Sequence, residues 1–130
     1  QNISNIVSNT GVIASDQSGV GTARSGLAAA QFGDRCIFGY GAGGGPSNMV
    51  STTGVVASDV SRVGTSRIGV AGAPYGGNKG LFCFGNAGSS VYVAVSNLVS
   101  TSGVIASDTS AVSGVTIRAQ VNGAGYSISA

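Results

Sequence analysis

At 130 residues the chain has one domain's length, and a formal net charge of +2 is too small and too scattered for a nucleic-acid surface. Only 8% of the residues are charged, with no Glu, no His and a single Lys, Lys79, and no run of 18 apolar residues offers a membrane-spanning helix. Val, Ile, Leu and Phe total 32 residues, about a quarter of the chain, which is enough to build a core. Helix formers are scarce while Val, Ile, Thr, Ser and 23 Gly abound, so the composition predicts an all-β fold. A start at Gln1 rather than Met predicts a processed or partial chain.

In chain order, the first legible phrase is Asn5-Ile6-Val7-Ser8-Asn9-Thr10-Gly11-Val12-Ile13-Ala14-Ser15-Asp16. It returns at 48–59 and again at 97–108, at intervals of 43 and 49 residues. A period in the forties marks a repeat architecture. Between these copies the unit 24–66 divides into four short strand positions. Position a (24–30) is rich in very small side chains, and position b (35–40) is apolar and aromatic. Position c is 48–51 and position d is 54–59, with a glycine-rich loop at 41–46 between b and c. The unit 67–117 repeats this order as 67–73, 79–84, 97–100 and 104–108, and an extended b–c loop at 88–95, with an edge strand of its own as the alternative, accounts for its greater length.

The two remaining pieces are partial units. Residues 1–23 hold only c and d, whereas 118–130 hold a third Arg-to-aromatic copy of a, from Arg118 to Tyr126, followed by a stub of b. They are complementary halves, so the N- and C-terminal strands are expected to complete one shared unit and remove exposed sheet edges. About three four-stranded antiparallel units of 43–49 residues make a β-propeller-like repeat protein, read as a single domain over 1–130. Small side chains at position a suit strands crowded around an axis. Three units are fewer than the typical four to eight blades. The expectation is six blades from a dimer, with a trimmed larger parent or another stacked β architecture as the alternatives.

Arg-x-Gly, an apolar-aromatic strand ending in Gly, and Asn-apolar-Val resemble the kelch blade pattern. Arg24, Gly26, Phe38, Gly39 and Asn48 carry it, as do Arg67, Gly69, Phe82 and Asn97. The chain departs from that pattern in its double glycine, written Gly39-Tyr40-Gly41 or Cys83-Phe84-Gly85, and in lacking the later Trp. The Ser-Asn-apolar-Val-Ser-x-x-Gly-Val-apolar-Ala-Ser-Asp unit followed by Gly-Val-Gly-Thr-Ala-Arg is similar over nearly the whole chain to Gly-rich repeats in virion structural proteins of tailed phages. That resemblance implies a structural role in a tail, fibre or capsid-decorating component.

Asp16, Asp59 and Asp108 recur, as do Arg24, Arg67 and Arg118, and these six are most of the chain's charges. The Asp precedes the Arg by eight residues twice, so a repeated ion-pair or capping network at the d-to-a turn is one reading. A ring of arginines near the axis that binds a carboxylate or phosphate is the other. Residues 39–44 match the letters of a dinucleotide fingerprint, but Pro46 and a strand follow where a helix N-terminus is needed. Lys79 lacks the phosphate-loop spacing. With neither His nor Glu, no Ser has a base to activate it, and the chain is read as a non-enzyme without metal or cofactor. Cys36 and Cys83 are read as free, buried thiols, with a disulfide as the alternative. Tyr40 and Tyr92, at or in the b–c loops, are the candidate glycan-stacking residues, whereas Tyr75 and Tyr126 share the core position of Phe32.

The leading expectation is a non-catalytic virion component whose partners are copies of itself and other virion proteins. A lectin-like module binding host glycan through its b–c loops is the first alternative, and an extracellular filament subunit the second. Each places the chain on a virion or otherwise outside the cell.

Overall fold

Runs of β-branched and aromatic residues punctuated by glycine turns leave little choice but strands, and the described residues contain no helix. The computed structural model describes residues 3–125; Tyr126 and the stub 127–130 lie outside the described residues. Seven strands are formed: β1 (Ala28–Phe32), β2 (Arg35–Gly39), β3 (Asn48–Val50), β4 (Ala71–Tyr75), β5 (Lys79–Asn86), β6 (Tyr92–Val99) and β7 (Thr109–Ser110). They make two open antiparallel sheets, one ordered β1-β2-β3 and the other β4-β5-β6-β7.

Positions b and c fall where the sequence places them, but a and d do not. Strand a begins four residues late, because Gly26 and Gly69 at φ +64 and +62 turn the chain out of the sheet. Their backbones serve the contact between units instead: Gly69 donates to the Gly26 carbonyl at 2.9 Å, and Gln120 to Gly69 at 2.8 Å. Position d of the first unit is no continuous strand. It touches c only at the bridges Val50–Val56 and Ser47–Val60, because the Asn48 amide takes the Ala57 carbonyl at 3.0 Å. The expected loop at 88–95 is mostly strand: β5 and β6 are joined by a tight turn with Ser89 and Ser90 at φ +45 and +65. Val91 donates to the Gly88 carbonyl at 2.8 Å, which closes it as a type I′ turn.

Strands β1 and β4 pack against each other, and their small residues follow from that closeness. A Cβ on Gly72 would collide with the Ala29 carbonyl, and one on Gly123 with the Gly72 carbonyl. Between the sheets lies a core of Phe32, Ile37, Tyr40, Val70, Phe82 and Val99. The Phe82 ring fits there because Gly39 has no side chain; a Cβ at Gly39 would lie 2.9 Å from it. Tyr75 does not share the core fate of Phe32 and is 53% exposed. Phe32 is covered by the hairpin of the following unit, and no described residue covers Tyr75 in that way.

Each half-unit packs on its neighbour in sequence. The hairpin 5–16, bridged at Val7–Ile13 and Ser4–Gln17, lays Ile6 against Gly54 of the next hairpin. The last inner segment bridges Val93 through Arg118. Among the described residues no backbone hydrogen bond joins one half-unit to the other, so the expected shared unit is not completed by them.

Candidate functional site

The charged residues of the repeat assemble into one network, made twice. In the first unit Thr22 gives both its backbone N–H and its hydroxyl to Asp59, at 2.9 and 2.7 Å. Asn48 donates to the other Asp59 oxygen at 2.8 Å, and its carbonyl accepts from Arg24 at 2.5 Å. The Arg24 and Asp59 charges stand 3.8 Å apart. In the second unit Thr65, Arg67, Asn97 and Asp108 repeat every one of these contacts, with the ion pair at 3.6 Å.

The Asp and Arg therefore pair across their own sheet, from c–d back to a. They do not pair across the d-to-a turn, where their spacing in sequence had placed them. The turn is held differently: Arg62 bonds the Gly64 and Gly44 carbonyls at 2.9 and 2.6 Å, tying the loop 41–46 to the linker. Asn48, Asn97, Thr22 and Thr65 complete the network. Their signal in the sequence is the constant spacing of Asn5, Asn48 and Asn97 from their Asp, and Thr-x-Arg at 22, 65 and 116.

Charge and burial explain the electrostatics. Asp59 is held below the usual carboxylate range, first by the Asn48 hydrogen bond and then by Thr22. For Asp108 burial is the largest single influence and pushes upward, but the Thr65 and Asn97 hydrogen bonds and the Arg67 charge outweigh it, and the net shift is down. Burial lowers the Arg24 guanidinium, partly offset by Asp59. Arg67 is 1% exposed; it lies 4.0 Å above the Tyr40 ring and donates to the Phe84 carbonyl at 2.8 Å. A guanidinium enclosed by acceptors and an aromatic face is a structural cation. Arg67 is thus closed to a soluble anion, whereas Arg24, whose Nε has no hydrogen-bond partner among the described residues, borders a concavity with Asn5, Thr22 and Leu27.

The third Arg and the first Asp behave differently. Arg118 is exposed and stacks on Phe84 at 5.0 Å, while Asp16 is exposed and, among the described residues, accepts a hydrogen bond from Asn5 alone, at 2.8 Å.

The two candidate tyrosines also part company. Tyr40 is a core residue: one face lies under Arg67, its edge meets Phe82 at 5.3 Å, and its hydroxyl donates to Val63 at 3.3 Å. Burial pushes its phenol up, with Arg67 opposing. It offers no face for a sugar. Tyr92 is half exposed and borders a concavity of about 420 Å3 with Ile68, Asn86, Arg118 and Gln120.

Asp34, the remaining carboxylate side chain, is exposed, 4.0 Å from Arg35 in a turn. Cys36 and Cys83 are free but half-buried rather than fully buried, and burial raises both thiols. They sit on different sheets, Cys36 paired to Val50 and Cys83 to Ser96. Among the described residues no three His, Cys, Asp or Glu side chains group as metal ligands, and no helix is long and apolar enough to cross a membrane. No protein-family model matches the chain, and no curated protein sequence matches it.

Proposed function

We propose that the chain is a non-catalytic structural module of a virus particle, part of a tail, fibre or capsid-decorating protein that works by self-assembly and contacts with other virion proteins. One observation carries this reading: in the two completed units the recurring polar chemistry of the repeat is spent inside, and what remains outward is apolar and repetitive. Val12, Val55 and Val104, at the same place in three successive hairpins, are each 64% exposed, and few charges interrupt the surface around them. Such an apolar surface suits close packing against other proteins. The likeness of the repeat phrase to phage virion repeats supplies the kind of particle. Gold-labelled antibody against the chain, applied to particles purified from its source, is expected to mark a tail, fibre or capsid surface. Label confined to cell-attached fibres would turn the reading to a filament subunit, and absence of particle label would overturn it.

A second reading is favoured by the Tyr92 concavity alone, an aromatic face beside Asn86 and Arg118 that suits a surface glycan. A glycan array showing specific binding that Tyr92→Ala abolishes would support it.

A further inference from the structure

The repeated network is half-made twice, and the halves match. In the hairpin 5–16, Asn5 donates to the Ala14 carbonyl and to Asp16, as Asn48 and Asn97 do in theirs, but no described Thr or Arg reaches this Asp. On the last inner segment, Arg118 Nε donates to the Thr116 carbonyl, and neither Nη group has an acceptor among the described residues.

A second pair of matching features lies alongside. Gly103 of the third hairpin is gripped by Met49 and by Phe32, whose ring would stand 3.0 Å from a Cβ there. One unit later, Tyr75 and Leu98 occupy the places of Phe32 and Met49, and both are open, 53% and 43% exposed. Gly11, the first hairpin's counterpart of Gly103, has nothing within 4 Å of its Cβ direction. A third feature agrees: Arg35 donates to the Thr101 carbonyl at 3.2 Å, Lys79 stands in the place of Arg35, and Asn9 in that of Thr101.

We infer that the hairpin 5–16 of a second copy docks on the face formed by Tyr75, Leu98 and Arg118, joining copies head to tail. The inference rests on the self-assembly part of the proposed function and names its surface. Gly11 enters between Tyr75 and Leu98. Arg118 takes the Asn5 carbonyl and the Asp16 carboxylate, as Arg67 takes Asn97 and Asp108, and Lys79 meets the Asn9 carbonyl. Charge is complementary, with Arg118 and Lys79 on one face and Asp16 on the other. One contact is not carried over. Val115 stands where Gly21 and Gly64 leave room for the carboxylate, and it lacks their positive φ, so Thr116 does not repeat the roles of Thr22 and Thr65. A heterologous contact of this kind leaves a free partner surface on each copy and propagates.

Sedimentation velocity on the full chain tests the inference. The unaltered chain is expected to give a series of species that lengthens with concentration, and Arg118→Ala to weaken association more than about thirtyfold, as for a hydrogen-bonded charge pair that becomes buried. Two blocked chains sharpen the test: one carries Asn5→Ala with Asp16→Ala, the other Leu98→Asp with Arg118→Ala. Each alone is expected to be monomeric, and the two mixed to form a 1:1 dimer that grows no further. Circular dichroism separates lost assembly from lost folding, and Asp16→Asn and Tyr75→Asp replace any pair that melts early. A monomeric unaltered chain, a blocked chain that still self-associates, or a mixture that stays monomeric overturns the inference. Such a result leaves particle labelling untouched, and absence of particle label leaves this docking mode untouched.

Discussion

Arg67 is accommodated at 1% exposure because the Asn97 side-chain carbonyl, the Phe84 and Thr65 carbonyls, Asp108 and the Tyr40 ring all face it. Breaking such a set from one side costs more than the set is worth, since it strands a buried charge. Asn97→Ala, which removes a hydrogen-bonding partner of Arg67, is expected to lower the unfolding free energy by about 1.5–3 kcal/mol in urea titrations. Asn5→Ala, at the exposed equivalent position, is expected to change it by less than about 0.5 kcal/mol. The lowered Asp59 and Asp108 groups give a pH signature of definite sign. A carboxyl held down in the folded state contributes stability above its ordinary value of 3.8 and loses it as pH falls through the folded value. Melting temperature should therefore hold steady down to about pH 5 and fall below about pH 4. A chain with Asp59→Asn and Asp108→Asn should melt lower at neutral pH and show a shallower acid limb. The participants were legible in the sequence as recurrent Asp, Arg and Asn; the pairing was not. Proximity in sequence favours the Arg that follows each Asp, and only the sheet brings Asp59 back to Arg24.

Elements show the same division between what a pattern carries and what packing decides. Strands β2 and β3 lie where apolar runs and turn residues put them, whereas the 88–95 segment disguises a hairpin. Its turn uses Ser89 and Ser90 at positive φ, where Asn-Gly would have announced a type I′ turn. Replacing Ser89-Ser90 by Asn-Gly is expected to relieve strain of about 1 kcal/mol and raise the melting temperature by several degrees. Gly72→Ala, against the Ala29 carbonyl, is expected to cost about 1–3 kcal/mol in the same assay, because a backbone oxygen cannot step aside as a side chain can. Tyr40 shows why a loop-adjacent aromatic is hard to place from sequence. Its φ of +62 turns the side chain inward under Arg67, a residue that belongs to the next unit.

At the scale of the molecule, stability in a stack of units is a sum of unit terms and neighbour terms, so units with one neighbour are held less firmly than those with two. Hydrogen exchange is expected to run fastest at the exposed hairpin 5–16, where the Ala14 amide donates to the Ile6 carbonyl, and slowest at Phe82 and Val99 in the core. Uniform protection along the chain would contradict this gradient. The repeat itself was plain in the sequence, down to the Asn and Asp that anchor each copy. Whether the units curve into closure was not, because the angle between neighbours is set by how closely β1 and β4 approach, and no periodicity encodes an angle.

That approach is made of carbonyls, amides and missing side chains, Ala29 on Gly72 on Gly123 and Gly26 on Gly69 on Gln120. The joint itself reads no particular side chain; what matches one repeat to the next is Phe82 against Gly39, Arg67 over Tyr40 and Gly103 between Met49 and Phe32. Gene duplication or loss of a whole repeat is then expected to need matching changes at those few contacts alone, which leaves the length of such an array easy to alter.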